Sequence, residues 1–97
     1  MLHCISQNSL TPSVVERIAA GDEVVLMSES LWAAYAGHQG NGLLQTLLQK
    51  PCRVFAMHDL LQAFGIEPSR LLPGIESIDY DALVSLTEHH PQIVTWC

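Results

Sequence analysis

The stretch Val24-Val-Leu-Met27 carries no polar residue at any alternate position. A strand built from it has two apolar faces, and both must be covered. A one-sided antiparallel sheet cannot supply that cover. A parallel sheet between helices can, and the rest of the chain fits it. Leu2 to Ile5, Cys52 to Met57, Ile75 to Ile78 and Gln92 to Trp96 read as further short strands, and helical segments lie between them. Alternating strands and helices predict an α/β fold. Crossovers of the usual right hand make it a three-layer α/β/α sandwich with a mostly parallel five-stranded sheet. All 97 residues fall within one domain, 1–97.

The helices announce themselves by their ends. Thr11-Pro12 opens the first, with Thr11 as cap and Pro12 at the first helical position, and Gly21 stops it. Ser28 or Ser30 is expected to cap a helix over Leu31-Trp-Ala-Ala-Tyr-Ala36 that is apolar nearly all round. Gly37-His-Gln-Gly-Asn-Gly42 reads as a flexible turn, and Leu43 to Gln49 as a helix ended by Pro51. His58 to Phe64 forms another helix, closed by Gly65. Asp79 or Asp81 caps the last helix, which stops before Pro91.

Composition narrows the function. Four Lys+Arg against ten Asp+Glu leave a formal charge of −6, and charged residues are only 14% of the chain. With 48% hydrophobic residues and a mean hydropathy of +0.23, intrinsic disorder is excluded. Arg17, Lys50, Arg53 and Arg70 are too few and too scattered for the basic patch of a DNA or RNA binder. The longest apolar run, Leu31 to Ala36, falls far short of the ~18 residues of a membrane span. The first residues, Met1 to Gln7, lack a basic region and a long apolar core, so no secretory signal is expected. A cytoplasmic location with reduced thiols follows as the expectation. So small a domain with so few charges leaves apolar surface, which usually marks an interface. The all-apolar helix makes Leu31, Trp32 and Tyr35 interface candidates; the alternative is that the following loop buries them.

In a parallel sheet reactive groups gather beyond the carboxyl ends of the strands. Cys4 lies inside a strand and reads as an inert core thiol, and Cys52 begins one, at the opposite edge. Cys97 lies past the last strand, but no helix follows to activate it. Cys97, and with less support Cys52, is the thiol left open to a sulfur-handling role. Ser28 and Glu29 after the second strand, with His58 and Asp59 after the third, outline a strand-end groove. Adjacent His58 and Asp59 do not face each other on a helix, so they make no dyad, and Asp59 is expected to cap. A small homo-oligomeric ligand-binding domain using this groove is the rival reading. No Cys-x-x-Cys or His-x-x-x-His spacing occurs, so no metal is expected, and no motif calls for a cofactor. The glycines at 37, 40 and 42 follow a helix rather than a strand and do not form a phosphate loop.

Several segments together resemble the TusB/DsrH family of sulfur-relay proteins. They are Met1-Leu-His3; Gly21-Asp-Glu-Val-Val-Leu-Met27 with Ala33-Ala34 and Gly37; Arg53-Val-Phe-Ala-Met57 with Gly65; and Ile78-Asp-Tyr80, Leu83-Val84, Leu86-Thr87, His90-Pro91 and Trp96. The resemblance implies a DsrE-like fold and a place in a heterohexamer with two sister subunits, TusC/DsrF-like and TusD/DsrE-like. One branch of the family relays persulfide sulfur towards 2-thiouridine at the tRNA wobble position; the other serves sulfur oxidation. It also implies that the catalytic cysteine belongs to the TusD/DsrE-type sister, after its third strand. Here that region reads His58-Asp59-Leu60. The expected role is therefore a non-catalytic subunit that meets tRNA only indirectly.

Overall fold

Each apolar run becomes a strand in the computed structural model, which describes residues 1–7, 10–38 and 40–96. The strands are β1 (Leu2–Ile5), β2 (Glu23–Leu26), β3 (Arg53–Met57), β4 (Ile75–Ile78) and β5 (Ile93–Trp96). The helices are α1 (Pro12–Arg17), α2 (Asn41–Gln49), α3 (His58–Ala63) and α4 (Tyr80–His89), with 3-10 turns over Ser28–Ala34 and Pro68–Arg70.

All four strand pairings are parallel, in the order β4-β3-β2-β1-β5. That order dictates where the helices go. From β1 to β4 the chain steps across the sheet in one direction, and right-handed crossovers stack α1, α2 and α3 on one face. The return from β4 to β5 runs the other way and throws α4 onto the opposite face. The result is the three-layer α/β/α sandwich.

Strand alternation feeds two cores. Ile5, Val24, Leu26, Val54 and Ala56 point to the first face and meet Val14, Val15, Leu31, Leu44, Leu47 and Leu61. Leu2, Cys4, Val25, Phe55 and Met57 point to the second, where Leu83 and Leu86 of α4 pack. Cover is unequal. Three helices protect the first face, whereas α4 alone lies on the second and none of its residues is fully buried.

Local differences from the sequence reading have physical causes. The helix expected over Leu31–Ala36 is a 3-10 turn spanning Ser28–Ala34. Its downstream residues are pulled into extended pairing: Ala36 N donates to Arg70 O at 2.7 Å, Leu72 N to Ala34 O at 2.9 Å, and Tyr35 bridges Leu71. Neither Ser28 nor Ser30 occupies the cap position, which is Met27. The buried Ser30 hydroxyl instead reaches the carbonyls of Met27 (2.6 Å) and Ile5 (2.8 Å). Thr11 does hold the α1 cap position, its hydroxyl pairing with that of Ser13 (3.2 Å) rather than with a helix N–H, and α1 ends at Arg17, short of Gly21. The glycine turn is pinned rather than free. Asn41 Oδ1 accepts from Gly37 N at 2.8 Å, and its Nδ2 donates to Ala33 O (2.7 Å) and Tyr35 O (2.9 Å). Gly40 is needed for that packing, because a Cβ there would stand 2.9 Å from the Ala33 Cβ.

Candidate functional site at the carboxyl edge of the sheet

The crevice of an open parallel sheet forms where neighbouring strands send their connections to opposite faces. Here those strands are β3 and β4, since α3 lies on the first face and α4 on the second. Their ends bring His58 of α3 to Ser77 of β4, with 3.5 Å between Nδ1 and Oγ. Asp79 and the exposed Tyr80 stand beside them, Asp79 capping α4 by accepting from Ala82 N at 2.8 Å. Asp81 lies inside the first turn.

β2 neighbours β3, so Ser28 and Glu29 emerge at the same edge as His58 and Asp59. Ser28, Glu29 and Asp59 are exposed, and Ser28 adopts a left-handed φ of 58°. Among the described residues no hydrogen bond or ion pair joins the Ser28–Glu29 side to the His58–Asp59 side. Asp59 does not cap α3; the cap position is Met57, and Asp59 sits in the first turn. The sequence reading missed Ser77, whose relevance depends on which strand lies next to β3.

Glu29, Asp59, Asp79 and Asp81 follow the carboxyl ends of β2, β3 and β4, whereas Arg53 opens β3 at the opposite edge, held by Glu76 at 3.1 Å and Glu23 at 3.6 Å. Lys50 is spent within that same edge, its Nζ donating to Val15 O (3.0 Å) and Ile18 O (3.2 Å). The acidic edge disfavours direct contact with RNA phosphates.

The interface candidates separate. Trp32 is 37% exposed, and its ring stacks on Phe64 (centroids 5.8 Å, 18° between planes) and tilts against Tyr35 (5.7 Å, 56°). Tyr35 is half-buried. Leu31, by contrast, is wholly inside the first core and presents nothing to a partner. A 3-10 turn points its residues differently from the α-helix assumed for it, and Leu31 is the one turned inward. Phe64, 32 residues along the chain from Trp32, could not be paired with it from sequence.

The described thiols sit away from this edge. Cys52 is buried at the opposite edge, its Sγ–H donating to Ala19 O at 3.2 Å, and burial foremost pushes its thiol up. Cys4 is buried on the second face, and burial raises it as well. A raised thiol is mostly protonated and a poor nucleophile. Cys97 lies outside the described residues.

Comparison with known proteins agrees with this geometry. The family model described as DsrH like protein matches residues 5–93. A protein TusB of Serratia proteamaculans is 30% identical over 99% of this chain and all of its own length. A protein TusB of Escherichia coli O81 is 32% identical over the same shares. Among solved structures, the ychN protein of E. coli superposes with a TM-score of 0.78 at 15% identity, over 98% of this chain and 97% of that one. MTH1491 of Methanobacterium thermoautotrophicum, a protein of unknown function, does so with a TM-score of 0.78 at 15% identity, over 97% of this chain and 96% of that one. These two carry the fold alone. The full-length sequence matches carry more: the chain belongs to the TusB/DsrH family of sulfur-relay proteins.

Proposed function

We propose that this chain is a non-catalytic subunit of a persulfide-transfer complex that supports 2-thiolation of the tRNA wobble uridine. Its partners are sister subunits of the same fold, TusC/DsrF-like and TusD/DsrE-like, in a heterohexamer. One observation carries the reading. At the end of β3, where an open α/β sheet would present a nucleophile, the chain offers the imidazole of His58 beside Ser77, and its described thiols are buried elsewhere. The acidic carboxyl edge supports contact with tRNA through a partner rather than directly. Trp32, with Tyr35 and Phe64, is the surface on which a sister chain would rest.

The test is persulfide trapping in the reconstituted complex. A cysteine desulfurase with cysteine is supplied, and each subunit is weighed intact. The reading expects added sulfur on a sister chain and none on this one. A mass increase of one sulfur atom here, mapped to Cys52 or Cys97, would overturn it in favour of a carrier role.

A further inference from the structure

His3 is a polar ring in a strand otherwise made of Leu2, Cys4 and Ile5, and it is only 1% exposed. Buried so deeply, both ring nitrogens need partners. Nε2 lies 2.9 Å from Asp22 Oδ2, and Nδ1 lies 3.1 Å from the indole Nε1 of Trp96. An indole nitrogen can only donate. Nδ1 is therefore the acceptor and carries no proton, which leaves the single ring proton on Nε2, donated to Asp22. The arrangement specifies a neutral imidazole in one tautomer.

Asp22 is its fixed anion. Burial pushes that carboxyl up, but bonds from His3, from Ala19 N (3.1 Å) and from the Met1 ammonium (3.3 Å) outweigh burial and hold it below the usual carboxylate range. Trp96 ends β5, and its carbonyl accepts from Ser6 N (2.8 Å) and Gln7 N (3.0 Å). Its ring lies edge to edge with His3, nearly coplanar (14°) with centroids 6.2 Å apart, and packs against the first core, and the Arg17 guanidinium lies 5.9 Å from the ring centre.

We propose that His3 is a proton-operated latch on Trp96. A proton taken from solvent by Nδ1 removes the acceptor of the indole N–H and sets two donors against each other. The Nε2–H bond to Asp22 survives and becomes an ion pair. The indole, already partly exposed, then leaves its place against the first core while the β1–β5 backbone ladder remains, so the edge strand exposes more of this aromatic side chain when His3 is charged. Of the charges around His3, Asp22 is opposite in sign to an imidazolium, and the Met1 ammonium and the Arg17 guanidinium over the indole are like in sign. On the side of α1 and β3, Lys50 and the Cys52 thiol are tied to the carbonyls of Val15, Ile18 and Ala19. Glu23 and His90, paired at 2.7 Å, belong to the opposite face of the sheet, where Glu23 is in register with Leu2. This latch is independent of the relay reading.

The chain has two tryptophans, so its spectrum holds two indole N–H signals, and Trp32→Phe identifies that of Trp96. The full chain, labelled with nitrogen-15, is titrated from about pH 8 to about pH 5, the range in which histidines change charge. At the upper end the His3 nitrogens should report the Nε2–H tautomer. On acidification the Trp96 signal should shift upfield with the same midpoint as the His3 ring. In Trp96→Phe, which lacks the donor, the His3 midpoint should move to higher pH. A Trp96 signal that stays still while His3 titrates overturns the latch. So does a His3 that remains neutral until the whole protein unfolds, or a midpoint unmoved in Trp96→Phe.

Discussion

Asn41 is the residue on which the carboxyl-edge loops depend. Its carboxamide makes three bonds to backbone atoms of residues 33, 35 and 37, and so ties the end of the Ser28–Ala34 turn to the start of α2. Removing it strands the partly buried Ala33 carbonyl and an exposed N–H at Gly37, while the Tyr35 carbonyl keeps its bond from His38 N (3.0 Å). Asn41→Ala should cost about 2 kcal/mol, read as a lowered urea midpoint with an unchanged slope. Asn41→Asp keeps the acceptor for Gly37 N but loses both donors, so it should recover only part of that loss. The thiols make a second residue-level expectation. Burial raises Cys4 and Cys52, so the unfolded chain gives up these protons first as pH rises. Stability contributed by the protonated thiols is therefore complete below about pH 8.5 and falls above it, by up to about 1.4 kcal/mol per pH unit for each thiol. Chemical denaturation between about pH 7 and pH 10 measures this slope, and Cys4→Ala together with Cys52→Ala should flatten it. The burial of both thiols could be read from their places in the strand pattern. The role of His3 was open to the same reasoning and was missed: a ring inside a doubly covered strand has to be bonded to something.

At the scale of elements the two sheet faces differ in how much holds them. α4 is the thin side, anchored by Leu83 and Leu86 and started by the Asp79 cap. Asp79→Ala should destabilise by about 1 kcal/mol, the ordinary worth of an N-cap. Hydrogen exchange should show the loss first in α4, and next in β4 and β5, whose side chains are mostly exposed or half-buried. The amides of β1, β2 and β3, whose apolar side chains are buried on both faces, should open only with the whole molecule. Uniform protection across all five strands would contradict the unequal cover. The same contrast explains which elements were legible beforehand. Strand runs such as Val24–Met27 declare themselves because burial on both faces leaves no polar position. The Leu31–Ala36 helix was misread because its residues are helix-compatible, yet the long-range pairing with residues 70–72 decides its backbone. Nothing within a short window encodes that partner.

For the whole molecule the question is what the apolar exterior is for. A free protomer of this charge leaves Trp32 more than a third exposed and Tyr80 two-thirds exposed. Both lie on elements that leave the carboxyl ends of strands. The fold class could be inferred from sequence, and so could the places of Cys4 and Cys52 in the strand pattern. Which aromatics share a patch could not, because Trp32, Tyr35 and Phe64 meet only once β2 and β3 are side by side. If a sister subunit covers that patch, Trp32→Ala removes an aromatic anchor and should weaken assembly by about 2 kcal/mol, roughly 30-fold in dissociation constant. Analytical ultracentrifugation of the mixed subunits measures it. The protomer itself should keep most of its stability, since Leu31 and not Trp32 fills the core beneath. Ile93→Ser serves as the control: it lies on the second face, on β5, and exposes no aromatic ring. If Ile93→Ser dissociates the complex and Trp32→Ala leaves it intact, the sister chain docks on the β5 edge, and the aromatic patch is only the outer wall of the first core.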